Sequence, residues 1–136
     1  MRYLLDTNAC IALLNDTSPP LRERLRRLSP AEIGLPAPVA YELYYGAYKS
    51  RHAGRNLGLL DRLEFEIMPF DAGDARAAGA VRSELEAAGL PIGPYDLLIA
   101  GQARARNLVL VTANSREFER VQGLVCEDWT LFGANS

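Results

Sequence analysis

Hydrophobic residues recur along the chain in short blocks that switch between strand-like and helix-like spacing. Tyr3-Leu4-Leu5 is an unbroken apolar run that predicts a short buried strand. From Asp6 to Asn15 the apolar positions Ala9, Cys10, Leu13 and Leu14 fall at i, i+1, i+4 and i+5, the spacing of one helical face. Pro19-Pro20 open an arginine-rich helix over about 21–28, Ile33 to Pro36 reads as a second strand, and Pro38 fits the first turn of a helix reaching about Lys49. Helices are predicted over 52–63, 72–88 and 95–106, the second of them ended by Gly89, with strands at 65–70, 108–111 and 124–128 and a short helix at 116–121. Pro91-Ile92-Gly93-Pro94 makes a rigid loop. This alternation predicts an α/β fold: a central, mostly parallel sheet with helices on both faces and a ligand site at the carboxyl ends of the strands.

The same periodicity sets three acids on faces that should be apolar. Val39, Glu42, Leu43, Gly46 and Ala47 share one side of their helix; Asp6 lines up with Ala9, Cys10 and Leu13, and Asp96 with Ile99, Ala100 and Ala103. Burying a carboxylate without a partner costs several kcal/mol, so an acid on a core face pairs with a base, accepts backbone hydrogen bonds or binds a metal. No lysine, arginine or histidine occupies a matching stripe. Three converging acids repel one another, and a divalent cation is the simplest remedy; oxygen-only donors favour Mg²⁺, with Mn²⁺ as a substitute, over zinc. Taken singly, Asp6 and Asp96 also suit helix capping, and Glu42 also suits a solvated position at the edge of its stripe.

Composition narrows the picture without supplying a function. At 136 residues, 49% hydrophobic and 24% charged, the chain fits one globular domain, expected over 1–132 with a frayed end at 133–136. No run approaches the roughly 18 apolar residues of a membrane span and no signal-peptide pattern opens the chain, so a cytoplasmic protein that does not enter a membrane is expected. Cys10 and Cys126 lack zinc-type spacing and read as reduced core residues. A net charge of −2 gives no global basic signature, although every positive side chain except Lys49 is an arginine, the side chain whose planar fork suits phosphate.

Four ordered segments resemble a known family: Leu4-Leu5-Asp6-Thr7-Asn8, then Val39 to Gly46, then Ile92 to Ala100, then Leu110 to Phe118 followed by Gly123-Leu124 and Glu127-Asp128-Trp129. In order and spacing they resemble the PIN-domain endoribonucleases called VapC toxins, across practically the whole chain. The resemblance implies a PIN-like three-layer fold and a Mg²⁺-dependent endoribonuclease toxin, with Asp6, Glu42 and Asp96 as metal ligands. Many PIN domains carry a fourth acid where this chain has Asn114, with Glu117 one helical turn later. Glu117 therefore either orients the metal ligands from behind or supplies charge to a second metal in this reading, and Asn114 could contribute only a neutral oxygen.

Asn8 is expected to support the loop around Asp6, and Thr112 to orient a ligand or water from a strand end. Arg116 is a candidate contact for phosphate or an antitoxin. Candidate RNA contacts are Arg22, Arg24, Arg26 and Arg27, and Lys49, Arg51 and Arg55, although a solvated helix face is the more ordinary account of either cluster. Tyr41, Tyr44, Tyr45 and Tyr48 form a stripe at i, i+3, i+4 and i+7. Packing against the next helix would cover it, and so would an interface. The resemblance further implies a structured RNA substrate such as transfer or ribosomal RNA, a homodimer and a cognate antitoxin.

His52, the only histidine, lies among polar residues, which speaks against imidazole-based RNA cleavage. Asp6-Thr7-Asn8 lacks the second aspartate of haloacid-dehalogenase phosphatases, and Lys49 comes too early for a receiver domain. The alternative left open is a catalytically degenerate PIN fold that only binds RNA or protein.

Overall fold

The computed structural model describes residues 1–131; Phe132 and the end expected to fray, 133–136, lie outside the described residues. Strand β1 (Tyr3–Leu5) runs into helix α1 (Thr7–Leu14), followed by α2 (Pro19–Arg26), a 3₁₀ turn (Pro30–Glu32), β2 (Ile33–Pro36), α3 (Ala37–Lys49) and α4 (Ala53–Asp61). Then come β3 (Glu66–Met68), α5 (Ala72–Ala87), α6 (Pro94–Ala105), β4 (Val109–Val111), α7 (Ser115–Phe118) and β5 (Cys126–Glu127). Helix α2 begins two residues before the expected start, because Pro19 and Pro20 occupy its first turn, where a missing N–H costs nothing, and Ser18 caps it. The 3₁₀ turn was not expected, yet Ser29-Pro30-Ala31-Glu32 spells a capping box, and both of its reciprocal hydrogen bonds form.

All five strands pair in parallel, in the order β3-β2-β1-β4-β5. Every residue of β1 and β2 is buried, as expected for central strands covered on both faces. The outer strands are shorter than the predicted 65–70 and 124–128. At the edges, Glu66 and Ile67 face outward and Cys126 is only half-buried, which corrects the expectation that both cysteines belong to the core; Cys10 is fully buried there. Strand order reverses at β1, so the crevice between the carboxyl ends of β1 and β4 is the place where such a sheet takes a ligand.

Helix α6 is fixed by a close packing against α5 and by a buried polar clamp. Asp74, 1% exposed, accepts two hydrogen bonds from Arg106 at 2.9 and 3.1 Å, while the Gln102 amide donates to the Pro69 carbonyl at 2.9 Å and to Asp74 at 3.2 Å. Burial pushes the Asp74 carboxyl up, but the Arg106 guanidinium and the Asp71 N–H outweigh it and hold the group below its ordinary range. At the helix crossing a Cβ on Gly101 would stand 2.5 Å from the Ala78 Cα. Gly101→Ala is therefore expected to force the helices apart and lower stability by about 1–3 kcal/mol, read as a lower urea midpoint with an unchanged slope.

Candidate active site

Asp6 follows the last residue of β1 and caps α1, with its carboxylate accepting the Ala9 N–H at 2.8 Å. Its backbone N–H continues the sheet to the Val111 carbonyl at 3.1 Å, so the residue is fixed at the β1–β4 crevice and is only 3% exposed. Thr112, the first residue beyond β4, bonds to the same carboxylate through its hydroxyl, and that hydroxyl in turn accepts the Asn114 N–H at 2.8 Å. Burial raises the Asp6 pKa; Thr112 and the Ala9 N–H offset part of the rise, and the charges of Asp128 and Glu42 add to it.

Glu42 reaches the crevice from α3, half-buried, and accepts a hydrogen bond from the Thr7 hydroxyl at 2.8 Å. Asp96 comes from the first turn of α6, where the cap position is Gly93 and the aspartate itself caps nothing. Its carboxyl is pushed up to about 7, first by burial, then by the charge of and a hydrogen bond to Glu117, then by the charges of Asp6 and Glu42. Glu117, on α7, moves the other way: the Gly93 N–H at 2.9 Å holds it below its ordinary range against burial, helped by the Asn114 amide at 2.8 Å. Of the sharing pair, Asp96 keeps the proton. Asp6, Glu42, Asp96 and Glu117 thus arrive from four separate elements at the sheet's switch point, and Asn114 serves as the donor that orients Glu117.

Two residues at this site escaped the sequence reading. Thr7 holds Glu42, and its signal was its place one residue after an inward-facing aspartate. Asp128 lies just past β5, where the topology brings a strand end beside β4, and its charge is felt at Asp6. Asn8 is exposed on the first turn of α1, beside the Ala9 N–H that binds the Asp6 carboxylate.

The proposed contact residues are spread over α2, α3, α7 and the α3–α4 turn. Arg116 and Arg51 are exposed, and Arg26 pairs with Glu23 at 3.1 Å. On α3, Tyr44 bonds to Asp61 of α4 at 3.1 Å, so that ring does pack on the neighbouring helix, while Tyr41, Tyr45 and Tyr48 remain 55%, 58% and 69% exposed.

The sequence matches the PIN domain over residues 3–124. The chain belongs to the PIN-domain family. Within that family it is similar to the tRNA(fMet)-specific endonuclease VapC of Shigella flexneri, 40% identical over 96% of this chain and 99% of the relative. Ribonuclease VapC2 of Rickettsia felis is 39% identical over 95% and 98%. Among solved structures, a DNA-bound VapBC complex from Salmonella typhimurium superposes with a TM-score of 0.90 at 39% identity, covering 95% of this chain and 98% of that one. The chain is accordingly a VapC-type PIN-domain ribonuclease, and its four-carboxylate crevice lies where a parallel α/β sheet places its chemistry.

Proposed function

We propose that the chain is a divalent-metal-dependent endoribonuclease toxin that hydrolyses RNA phosphodiester bonds at the crevice formed by Asp6, Glu42, Asp96 and Glu117. The observation that carries this reading is the convergence of acids from four elements on one crevice, where burial first, then Glu117, Asp6 and Glu42, push the Asp96 carboxyl up to about 7. The contrast with Asp74 is direct, since that buried acid has a guanidinium and titrates low. Asp74 is structural, whereas the crevice acids repel one another in the manner of a site built for a cation.

The donors are all oxygens, which fits a hard ion such as Mg²⁺ or Mn²⁺. As placed, no three His, Cys, Asp or Glu side chains among the described residues stand close enough to hold one ion. Thr7 holds Glu42, the Ala9 N–H holds Asp6, and the Gly93 N–H and Asn114 amide hold Glu117, so each of these carboxylates keeps its own donors. Asp6, Glu42 and Asp96 would be the ligands, with Glu117 either orienting Asp96 or joining a second ion. When bound, the metal supplies charge neutralisation at the phosphate and an acidified water.

The chain's own residues do the positioning. Asp6 is locked by Ala9 and Thr112, Glu42 is steadied by Thr7, and Asp96 passes on the proton it keeps up to about pH 7 before it can ligate. Thr7→Val, which keeps the side-chain volume and removes the hydroxyl, is expected to lower cleavage about tenfold with little change in melting temperature; parallel activity and thermal-shift assays check this.

The relatives' substrates and complexes support finer proposals. Transfer RNA is the substrate favoured by the Shigella relative, with ribosomal RNA as the other candidate. A cognate antitoxin would suit a groove of about 230 Å³ lined by Ile11, Leu14, Leu43, Ala47 and Leu59, with Glu42 in the same wall, so that its occupant would cover that acid. The exposed Tyr45 and Tyr48 face suits a homodimer contact. Residues 1–132 would form the single catalytic domain, acting on cytoplasmic RNA. Among the described residues no helix is long and apolar enough to cross a membrane.

The test is incubation of purified, antitoxin-free protein with total RNA in Mg²⁺ and in EDTA, with new 5′ ends mapped by sequencing. Discrete cuts concentrated in transfer RNA and absent in EDTA are expected. An RNA pool left intact by folded protein in either Mg²⁺ or Mn²⁺ would leave the chain as a binding module.

A further inference from the structure

Two tyrosines sit at the lip of the crevice, each directly preceding one of its acids. Tyr41 precedes Glu42 on α3 and Tyr95 precedes Asp96 on α6, so the helix turns that aim the acids inward also set these rings at the rim. Their ring centroids are 5.6 Å apart at an interplanar angle of 40°, and their hydroxyls approach to 3.4 Å. Tyr41 is 55% and Tyr95 41% exposed. A lone exposed tyrosine needs no explanation, but two tilted, exposed rings from separate helices that meet beside the crevice do.

We propose that Tyr41 and Tyr95 form an aromatic platform that stacks an unpaired base of the RNA beside the scissile phosphate. The proposal rests on the ribonuclease reading and adds the two residues that would hold a base next to the cut. The reason is electrostatic as well as geometric. Asp6, Glu42, Asp96, Glu117 and Asp128 gather negative charge where a polyanion must bind, whereas the face of a base meets a π-surface without regard to charge. Stacking is also tolerant of base identity, so the pair would select unpaired RNA and leave sequence preference to other contacts.

A fluorescein-labelled, unstructured, mixed-sequence RNA titrated with wild type, Tyr41→Ala, Tyr95→Ala and the two Phe variants tests the platform by anisotropy. Each Ala variant is expected to bind about tenfold more weakly while each Phe variant, which keeps the ring and loses the hydroxyl contact, binds like wild type. The second readout is single-turnover cleavage of a synthetic stem-loop spanning a cut site mapped in total RNA, intact or with one flanking nucleotide made abasic. The Ala variants should raise the half-saturating concentration with little change in the maximal rate, and this effect should vanish on the abasic RNA next to the cut.

Wild-type RNA binding by the Ala variants, or an Ala effect undiminished on every abasic RNA, would overturn the platform and assign the rings to a protein interface or to the fold. Failure of wild type to cleave any RNA sinks the ribonuclease reading instead, and the anisotropy comparison still decides the stacking.

Discussion

Asp96→Asn is expected to lower RNA cleavage by at least about a hundredfold and, at the same time, to raise the melting temperature of the metal-free protein at pH 8. The two effects have one cause. A carboxylate at this position is opposed by burial, Glu117, Asp6 and Glu42, and it ionises only near pH 7 in the folded protein, against about 4 in the unfolded chain. Between those values the unfolded state binds fewer protons than the folded one, so wild-type stability falls as pH rises through that window and stays lower above it. Asparagine never charges, so the variant lacks this loss. Thermal melts in EDTA from pH 4 to 8 should show the two proteins close together at the acid end and diverging toward neutrality, with the variant the more stable. A variant that melts lower at pH 8 and still cleaves RNA would remove Asp96 from the site.

Divalent metal should reverse the wild-type deficit, and the size of the reversal should depend on pH. A ligand that binds only the folded state raises its stability, and a metal ligand must first lose its proton. Below about pH 7 the proton on Asp96 competes with the ion; above it the carboxylate is ready. The rise in melting temperature on adding Mn²⁺ should therefore be small at pH 6 and large at pH 8, and in Asp96→Asn small at both. Equal shifts at the two pH values in wild type would mean that the ion binds elsewhere.

Much of this site is legible in the amino-acid sequence. Periodicity put Asp6, Glu42 and Asp96 on faces that should be apolar, and the fold brings them to one crevice from the end of β1, the second turn of α3 and the first turn of α6. The limits of the reading were physical. Asp6 is at once a helix cap and a buried crevice acid, and the neighbouring charges of Asp128 and Glu42 mark the second role. Asp128 was invisible as a site residue because its position depends on β5 pairing with β4, a contact far apart in sequence. The buried Asp74 was missed for the same reason, its partners Gln102 and Arg106 lying a helix away. Edge strands came out longer in the sequence than in the fold, since Glu66 and Ile67 at an exposed edge keep a strand-like pattern without a full ladder to hold it. The tyrosine stripe divided unexpectedly: Tyr44 packs on α4, whereas Tyr41 turns to the site lip, a split that helical spacing alone does not encode.

The capping role of Asp6 also supplies the cleanest discriminating variant, because asparagine caps a helix as well as aspartate does. Cleavage of transfer RNA by wild type and Asp6→Asn, started in EDTA and followed as Mg²⁺ is titrated in, tests the central claim most directly. Wild-type cleavage should rise from nothing, saturate with Mg²⁺ and stop when EDTA is restored, while the folded Asp6→Asn protein stays at the EDTA level throughout. Cleavage that survives EDTA, or an Asp6→Asn protein that cuts at the wild-type rate at the same Mg²⁺, would contradict the assignment of these carboxylates to a metal-dependent ribonuclease site.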